Sequence, residues 1–504
     1  MKEYLLRRPM LLCGIICSAF SVAGFYSRTA LAFLGVLTAL ALGFMILKQV
    51  KPQLIFSFVM AFIMLLSTVI TLGNAEKLQK LDGTECDANA VICEITYKSP
   101  EYNCAVIQII QSETLPKGTK LSVYYKPQII ETGQALKCKL KLKSTDSSKY
   151  KADNYSKKIF LTANMETVSL LKDSDDFVLT EVGKTRKYIK DTLFSKIDFN
   201  ESATLCALVF GDRSYFTDEF YNNVKESGVS HVMVVSGMHL SVLVLLFTYI
   251  SEKLIYNRYI KALIMLTVVL LLSALCGFTM SMLRAGITYL IAALALVLKR
   301  DSTPANTLGA ATVFILIFSP FALLNVALQL SLLSTFGILA VAAPIIDYSA
   351  DNNLIKVPFA KSIFSIVIIT LSATVMTLPV SIYVFGYIST VSVFTNLLIS
   401  FAVTVLLCIT ICALIINILF SPAAQILFII CEIIAKYINN VINFFGSLSF
   451  SSVDLPRWTV IPAIIFIIII FWSLLACKNK IDMIKLEEMS EKIKKEGGKR
   501  LKWQ

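Results

Sequence analysis

Long uncharged apolar runs alternate with one extended polar stretch, and this pattern alone divides the chain. Apolar runs occupy Met10–Tyr26, Thr29–Leu47 and Leu54–Gly73. After the polar stretch come His231–Ile250, Ala262–Phe278, Met280–Leu298, Leu308–Ser319, Ala322–Ile346, Ile363–Phe385, Val391–Ile418, Ala424–Phe445 and Trp458–Cys477. About 20 apolar residues at ~1.5 Å per residue cross a hydrocarbon layer of roughly 30 Å, so these runs read as membrane spans. The pattern predicts a polytopic α-helical membrane protein with about 11–12 transmembrane helices. Between Ala262 and Leu298 the lone charge is Arg284. A single helix of that length would measure ~55 Å, so the chain must fold back near Gly277.

Between Asn74 and Asp176 the period changes from runs to alternation. In Leu136–Lys143, Leu136, Cys138, Leu140 and Leu142 take one face and Lys137, Lys139, Lys141 and Lys143 the other, which predicts a half-buried strand. Similar runs at Ala90–Tyr97, Cys104–Ile110, Lys120–Lys126 and Lys158–Val168 bring the total to about five strands, enough for a small barrel or sandwich.

Glu201–Leu245 joins the two regimes. Its polar half sets Phe216, Phe220 and Val224 at helical spacing against Asp218, Glu219, Asn222, Asn223 and Lys225. That predicts an amphipathic helix on the membrane surface. The apolar half places Ser236, Gly237, His239 and Ser241 inside a span, where polar groups need a protein or water partner.

The run Ala207-Leu-Val-Phe-Gly211-Asp212-Arg213, then Ser227-Gly228-Val-Ser230-His231 and Val235-Ser236-Gly237-Met238-His239, resembles the competence domain of the ComEC family. Members of that family are inner-membrane channels that pass single-stranded DNA during natural transformation. The resemblance continues through Ser281-Met-Leu-Arg284-Ala285, Gln329-Leu330-Ser331 with Gly337, Thr377-Leu378-Pro379, Phe385-Gly386 and Asn396. It implies a small extracytoplasmic all-β OB-like domain in the polar stretch and single-stranded DNA as cargo. It further implies a DNA receptor, a separate nuclease and a cytoplasmic motor ATPase as partners, and leaves room for an oligomer. Longer relatives carry a metallo-β-lactamase-like domain with an H-x-H-x-D-H signature. No such signature and no G-x-x-x-x-G-K-[ST] loop occurs before Gln504, so the chain is expected to be no enzyme and to use no cofactor.

The expected domains are a membrane anchor over 1–73, the β domain over 74–176 and membrane-surface helices over 177–230. The channel domain follows over 231–477, and a basic tail over 478–504.

Composition agrees with a membrane protein: 56% of the 504 residues are hydrophobic and 16% charged. The net charge of +13 suits a polyanionic partner, although lysines and arginines that hold loops in the cytoplasm account for much of it. Lys2, Arg7 and Arg8 ahead of the first run, and Lys48 and Lys51 after the second, put the N-terminus in the cytoplasm of a plasma-membrane protein. Cys86, Cys93, Cys104 and Cys138 fall in the outside segment, where disulfides persist, and are disulfide candidates with their pairing open.

A conduit for a polyanion needs a wet, polar lining without deep traps. The lining and motif candidates are Ser236, Gly237, His239, Arg284, Gln329, Asn396, Glu432 and Lys436. The exposed lysines Lys137, Lys139, Lys141 and Lys143 are the DNA-binding candidates, with Tyr124, Tyr125, Tyr150 and Tyr155 available for base stacking. Glu432, Lys436, Asn439 and Asn443 form one polar stripe, so Ala424–Phe445 either lines an aqueous path or lies at the interface. No metal site is expected: His231 and His239 stand ~12 Å apart along a helix. The rival reading is a transporter or flippase of another anionic polymer or lipid.

Overall fold

The computed structural model describes residues 9–98 (without 28, 32, 33, 37 and 39–51), 102–126, 133–146, 150–170, 177–233, 237–299 (without 255), 303–470 (without 353), 472 and 473. Most of the expected Thr29–Leu47 span, Ser236 and the basic tail lie outside these residues.

The apolar helices α1 (Pro9–Tyr26) and α2 (Pro52–Gln79) precede the polar stretch. That stretch forms a closed barrel of β1 (Glu85–Lys98), β2 (Asn103–Ser112), β3 (Lys120–Tyr125), β4 (Ala135–Ser144) and β5 (Ile159–Leu170), in the order β1-β2-β3-β5-β4. Only β3 and β5 run parallel; every other pairing is antiparallel. On β4 the alternation behaves as its sequence dictates, with Leu136, Cys138, Leu140 and Leu142 buried and the four lysines exposed. Inside the barrel they meet Ile92, Ile107, Leu121, Val123 and Leu161, while Leu78 and Leu81 at the end of α2 pack against the same core.

A short helix between β4 and β5, α3 (Lys151–Ser156), fixes the barrel to the helices. Tyr155 and Phe160 share a buried cluster with Ala75 of α2 and Phe321. The Tyr155 hydroxyl donates to Asp146 at 2.9 Å and accepts from Gln79 Nε2 at 2.9 Å. Ser319 Oγ donates to the Ser156 carbonyl at 3.3 Å, and Asn325 Nδ2 reaches Asp153 and Ser156 at 3.4 Å each.

Further helices are α4 (Phe177–Lys196), α5 (Phe199–Phe210), α6 (Asp218–Glu226), α7 (Gly237–Leu254), α8 (Arg258–Leu275), α9 (Met280–Leu298) and α10 (Pro304–Phe318). They continue as α11 (Val326–Gly337), α12 (Ala343–Asp351), α13 (Pro358–Phe385), α14 (Ser392–Leu419) and α15 (Ser421–Gly446). Among the described residues 7 helices are long and apolar enough to span a membrane: Ile55–Gln79, Arg258–Leu275, Met280–Leu298, Val326–Asp351, Pro358–Phe385, Ser392–Leu419 and Ser421–Gly446. Each matches a run expected from the sequence. Met10–Tyr26, Gly237–Tyr249, Pro304–Phe318 and Arg457–Ile470 are apolar but shorter, and each falls on a further run of the expected 11–12.

The fold-back near Gly277 is present. Gly277 (φ 71°) and Phe278 (φ 53°) are both left-handed, and the Phe278 amide bonds the Ser273 carbonyl at 2.8 Å, ending α8 and starting α9. Helices α14 and α15 form an antiparallel hairpin about Phe420: Thr410 meets Cys431 at 3.5 Å, and the Tyr437 hydroxyl reaches the Leu398 carbonyl at 3.4 Å. Helix α15 thus runs alongside a helix long enough to span, which favours a crossing over an interfacial position.

The helices expected at the membrane surface over 177–230 also pack against protein. Every residue of α5 from Glu201 to Phe210 is buried. Helix α6 docks onto α15, where a Cβ on Gly446 would stand 2.6 Å from Asn223 Cα, and Asn223 Nδ2 donates to Asn443 Oδ1 at 3.0 Å. Its apolar edge, Phe216, Phe220 and Val224, turns into the cluster formed by α5, α14 and α15.

Two compact units result, Met1–Leu332 with Ser389–Ser452, and Leu333–Ile388 with Val453–Gln504, which cuts across the expected 231–477 domain. In the second unit a π turn over Ile338–Ala342 carries the chain from α11 into α12, and Gly337 lies against Met376 and the Ser372 carbonyl of α13.

Candidate conduit and strand-receiving face

In the first unit, residues from three separate motifs come together. The guanidinium of Arg284 on α9 lies directly over Gly237 on α7: a Cβ at Gly237 would stand 2.8 Å from Arg284 Nη2 and 3.2 Å from Ala285 Cβ. Arg284 Nε donates to Ser331 Oγ on α11 at 2.8 Å, and Ser281 Oγ donates to the same oxygen at 3.3 Å. The Ser-Gly-Met-His, Ser-Met-Leu-Arg-Ala and Gln-Leu-Ser segments therefore meet through glycine, arginine and serine. Around them Leu240, Val244, Val268, Met282 and Ala285 form an apolar core.

The other candidates separate into different surroundings. His239, on α7, is 2% exposed. Gln329 bridges back to the Leu323 carbonyl at 2.8 Å, and Asn396 is buried on α14. On α15 the polar stripe divides: Asn439 is buried and bonded to Thr204, Glu432 is half-buried, and Lys436 is exposed. Glu432 and Lys436 are therefore not brought to the Arg284 cluster by any hydrogen bond or ion pair among the described residues. Thr204, which decides where the stripe points, carried no sequence signal beyond being a polar residue in an apolar run.

On the barrel, the lysine face is real but not purely basic. Lys139 pairs with Glu85 at 2.9 Å, and Glu85, Glu166 and Asp87 hold its ammonium above the ordinary lysine value. Cross-strand register puts Lys141 opposite Asn164, and Asn164 opposite Tyr124, so one outer row runs Tyr124, Asn164, Lys141 over β3, β5 and β4. Tyr102 lies 6.1 Å from Tyr124, ring to ring, and Tyr150 is exposed. Burial is the main influence lifting the Tyr124 hydroxyl above the usual tyrosine range. Of the expected stacking residues, Tyr125 and Tyr155 are buried in the core, whereas Tyr124 and Tyr150 remain at the surface. Tyr102 and Asn164 were missed because Asn164 joins the row through β-sheet register and Tyr102 through a ring contact with Tyr124, neither of which has a local signature.

The disulfide candidates Cys86, Cys93, Cys104 and Cys138 all lie on the barrel strands, and strand register sets which residues face them. Cys86 stands opposite Leu140 and Cys138 opposite Ala88, while Cys104 stands opposite Tyr97 and Tyr124, so no two of them are cross-strand partners. Cys138 Sγ donates to the Ala88 carbonyl at 3.5 Å and Cys93 Sγ to Gln108 Oε1 at 3.8 Å. Burial pushes the Cys138 thiol up to about 12.

Long apolar helices closing around an arginine and its serine partner, joined to a polar five-stranded barrel, define a polytopic helical membrane protein. The family model described as "Competence protein" matches residues 208–480, more than half of the chain, and the chain belongs to that family. It is 26% identical over 213 residues to ComE operon protein 3 of Bacillus subtilis (strain 168), covering 42% of this chain and 26% of the relative. It is 28% identical over 179 residues to the uncharacterized protein MG316 homolog of Mycoplasma pneumoniae (strain ATCC 29342 / M129 / Subtype 1), covering 35% of this chain and 42% of the relative. The matched parts thus span less than half the length of either relative. No solved structure matches.

Proposed function

We propose that this protein conducts single-stranded DNA across the plasma membrane during natural transformation. The observation that carries the reading is the meeting of Gly237, Arg284 and Ser331 from three helices in the competence-matched region, which puts a cation and hydroxyls inside an otherwise apolar bundle. Polar groups at that depth are retained where they serve a pathway. The barrel's strand order, with β3 and β5 parallel and β1 closing onto β4, suits an OB-like domain. Its row of Tyr124, Asn164 and Lys141, with Tyr102 beside it, offers stacking surfaces next to positive charge, the combination that holds single strands without reading sequence. On this reading the N-terminus is cytoplasmic, the barrel faces outward, and the protein performs no hydrolysis. A receptor delivers the strand, a separate nuclease degrades its complement, and a cytoplasmic ATPase pulls.

Uptake of fluorescent DNA into the cytoplasm of a deletion strain, complemented with this chain or with its Arg284→Gln variant, tests the reading. Uptake restored by the chain and lost in the variant at equal membrane abundance supports it. Uptake that never depends on the chain, with a defect in export of an envelope polymer or lipid instead, replaces it with the rival transporter.

A further inference from the structure

We propose that Arg284, seated over Gly237 and held by Ser331, is a docking point for a phosphate oxyanion within the membrane region; the inference rests on the conduit reading above. A guanidinium has five N–H donors in a planar fork. In Arg284 the Nε donor goes to Ser331 Oγ at 2.8 Å, and among the described residues no carboxylate pairs with the side chain. A cation inside an apolar bundle without a carboxylate is costly, and it is offset when an anion arrives. Among the described residues no hydrogen bond commits the Nη edge, the part of the fork that grips phosphate oxygens in pairs.

Gly237 makes the placement feasible. Any side chain there would meet Arg284 Nη2 at 2.8 Å and Ala285 Cβ at 3.2 Å, forcing the guanidinium off the surface of α7. Ser331 does the complementary work from α11: with Ser281 at 3.3 Å behind it, the hydroxyl fixes the angle of the fork without cancelling its charge. One guanidinium with one donor already used gives a weak site. Weakness is what passage needs, because each phosphate must be released before the next is held. A lipid headgroup offers the same oxyanion, so the two sources have to be separated by experiment.

The test uses the full chain in phosphatidylcholine nanodiscs and the rate at which phenylglyoxal modifies Arg284, read by peptide mass spectrometry. Tripolyphosphate is expected to slow modification of Arg284 several-fold. Gly237→Ala should keep Arg284 modifiable but remove that protection, and Ser331→Ala should weaken it. Arg284 that resists phenylglyoxal without tripolyphosphate, or a rate that saturating tripolyphosphate leaves unchanged, overturns the site, since a purely structural arginine behaves in one of those two ways. Protection by oligothymidylate, absent with the uncharged methylphosphonate analogue, assigns the oxyanion to the DNA backbone. Protection by phosphatidylglycerol built into the disc, with none from oligothymidylate, keeps the site and counts against the conduit reading. DNA uptake that depends on the chain while Arg284 shows no protection by any phosphate sinks the site and leaves that reading standing.

Discussion

Thr204 Oγ1 donates a 2.7 Å hydrogen bond to Asn439 Oδ1, across α5 and α15, with both residues buried. This one interaction turns the central part of the α15 polar stripe towards protein. Thr204→Val strands the Asn439 side chain in an apolar site, and an unsatisfied buried polar group costs about 1–3 kcal/mol. The double variant Thr204→Val with Asn439→Leu removes both partners and should recover most of that loss. Thermal unfolding of the four proteins in one detergent measures the coupling. Additive losses in the double variant would show that the bond contributes nothing.

The parts legible in the sequence are those where one local period decides burial. Leu136, Cys138, Leu140 and Leu142 alternate with lysines, and a strand that slipped by one residue would bury four ammonium groups, so no competing register survives. The fold-back at Gly277 was legible because an uninterrupted helix would exceed the bilayer. The meeting of Gly237 with Arg284 and Ser331 was not. It depends on the approach of helices far apart in sequence, and what permits that approach is a missing side chain at Gly237. The docking of α6 onto α5, α14 and α15 was not legible for a related reason: an amphipathic pattern reports that one face is covered, not what covers it. The cysteines follow the same logic. Cys138 was correctly placed on the inner face, yet a cross-link needs a partner opposite it, and register supplies Ala88.

Cys138 should be chemically silent in the folded protein. With its thiol pushed up to about 12 by burial, the thiolate fraction near pH 8 is on the order of one in ten thousand. Iodoacetamide at that pH should leave Cys138 unmodified while labelling it readily after denaturation, as read by mass spectrometry. The sign of the linkage follows: a folded value above the unfolded one stabilises the barrel below the ordinary thiol range, and that contribution is lost as pH rises towards 12. Rapid labelling of native protein at pH 8 would place Cys138 outside the core.

The barrel face predicts two separable effects on oligonucleotide binding. Lys139 is already paired with Glu85, so Lys139→Gln should barely alter the salt dependence. Replacing Lys137, Lys141 and Lys143 together should reduce the slope by ~2, since each phosphate that a lysine neutralises on a single strand accounts for ~0.7. Tyr102→Ala and Tyr124→Ala should instead weaken binding by about 1–3 kcal/mol per stacked base with the slope unchanged. Titrations of the full chain with labelled oligothymidylate at several salt concentrations separate the two. A slope unaffected by the triple lysine change would return those lysines to an ordinary solvated face.

His239 is where burial and motif pull in opposite directions, and the structure favours packing. At 2% exposure, between Gly237 and the buried Leu240 on α7, its imidazole has little room to meet a passing strand. If the buried imidazole holds a neighbouring helix, His239→Leu should remove roughly 0.6–2 kcal/mol of helix association and lower both the unfolding midpoint and the amount of inserted protein. Uptake per inserted molecule should stay unchanged. His239→Gln keeps hydrogen-bonding capacity without titrating near neutral pH, and should restore abundance and midpoint together. The contrast is with Arg284→Gln, which should lose uptake at normal abundance. A His239→Leu protein that inserts fully, unfolds at the wild-type temperature and yet takes up no DNA would reverse the assignment and put the imidazole in the path.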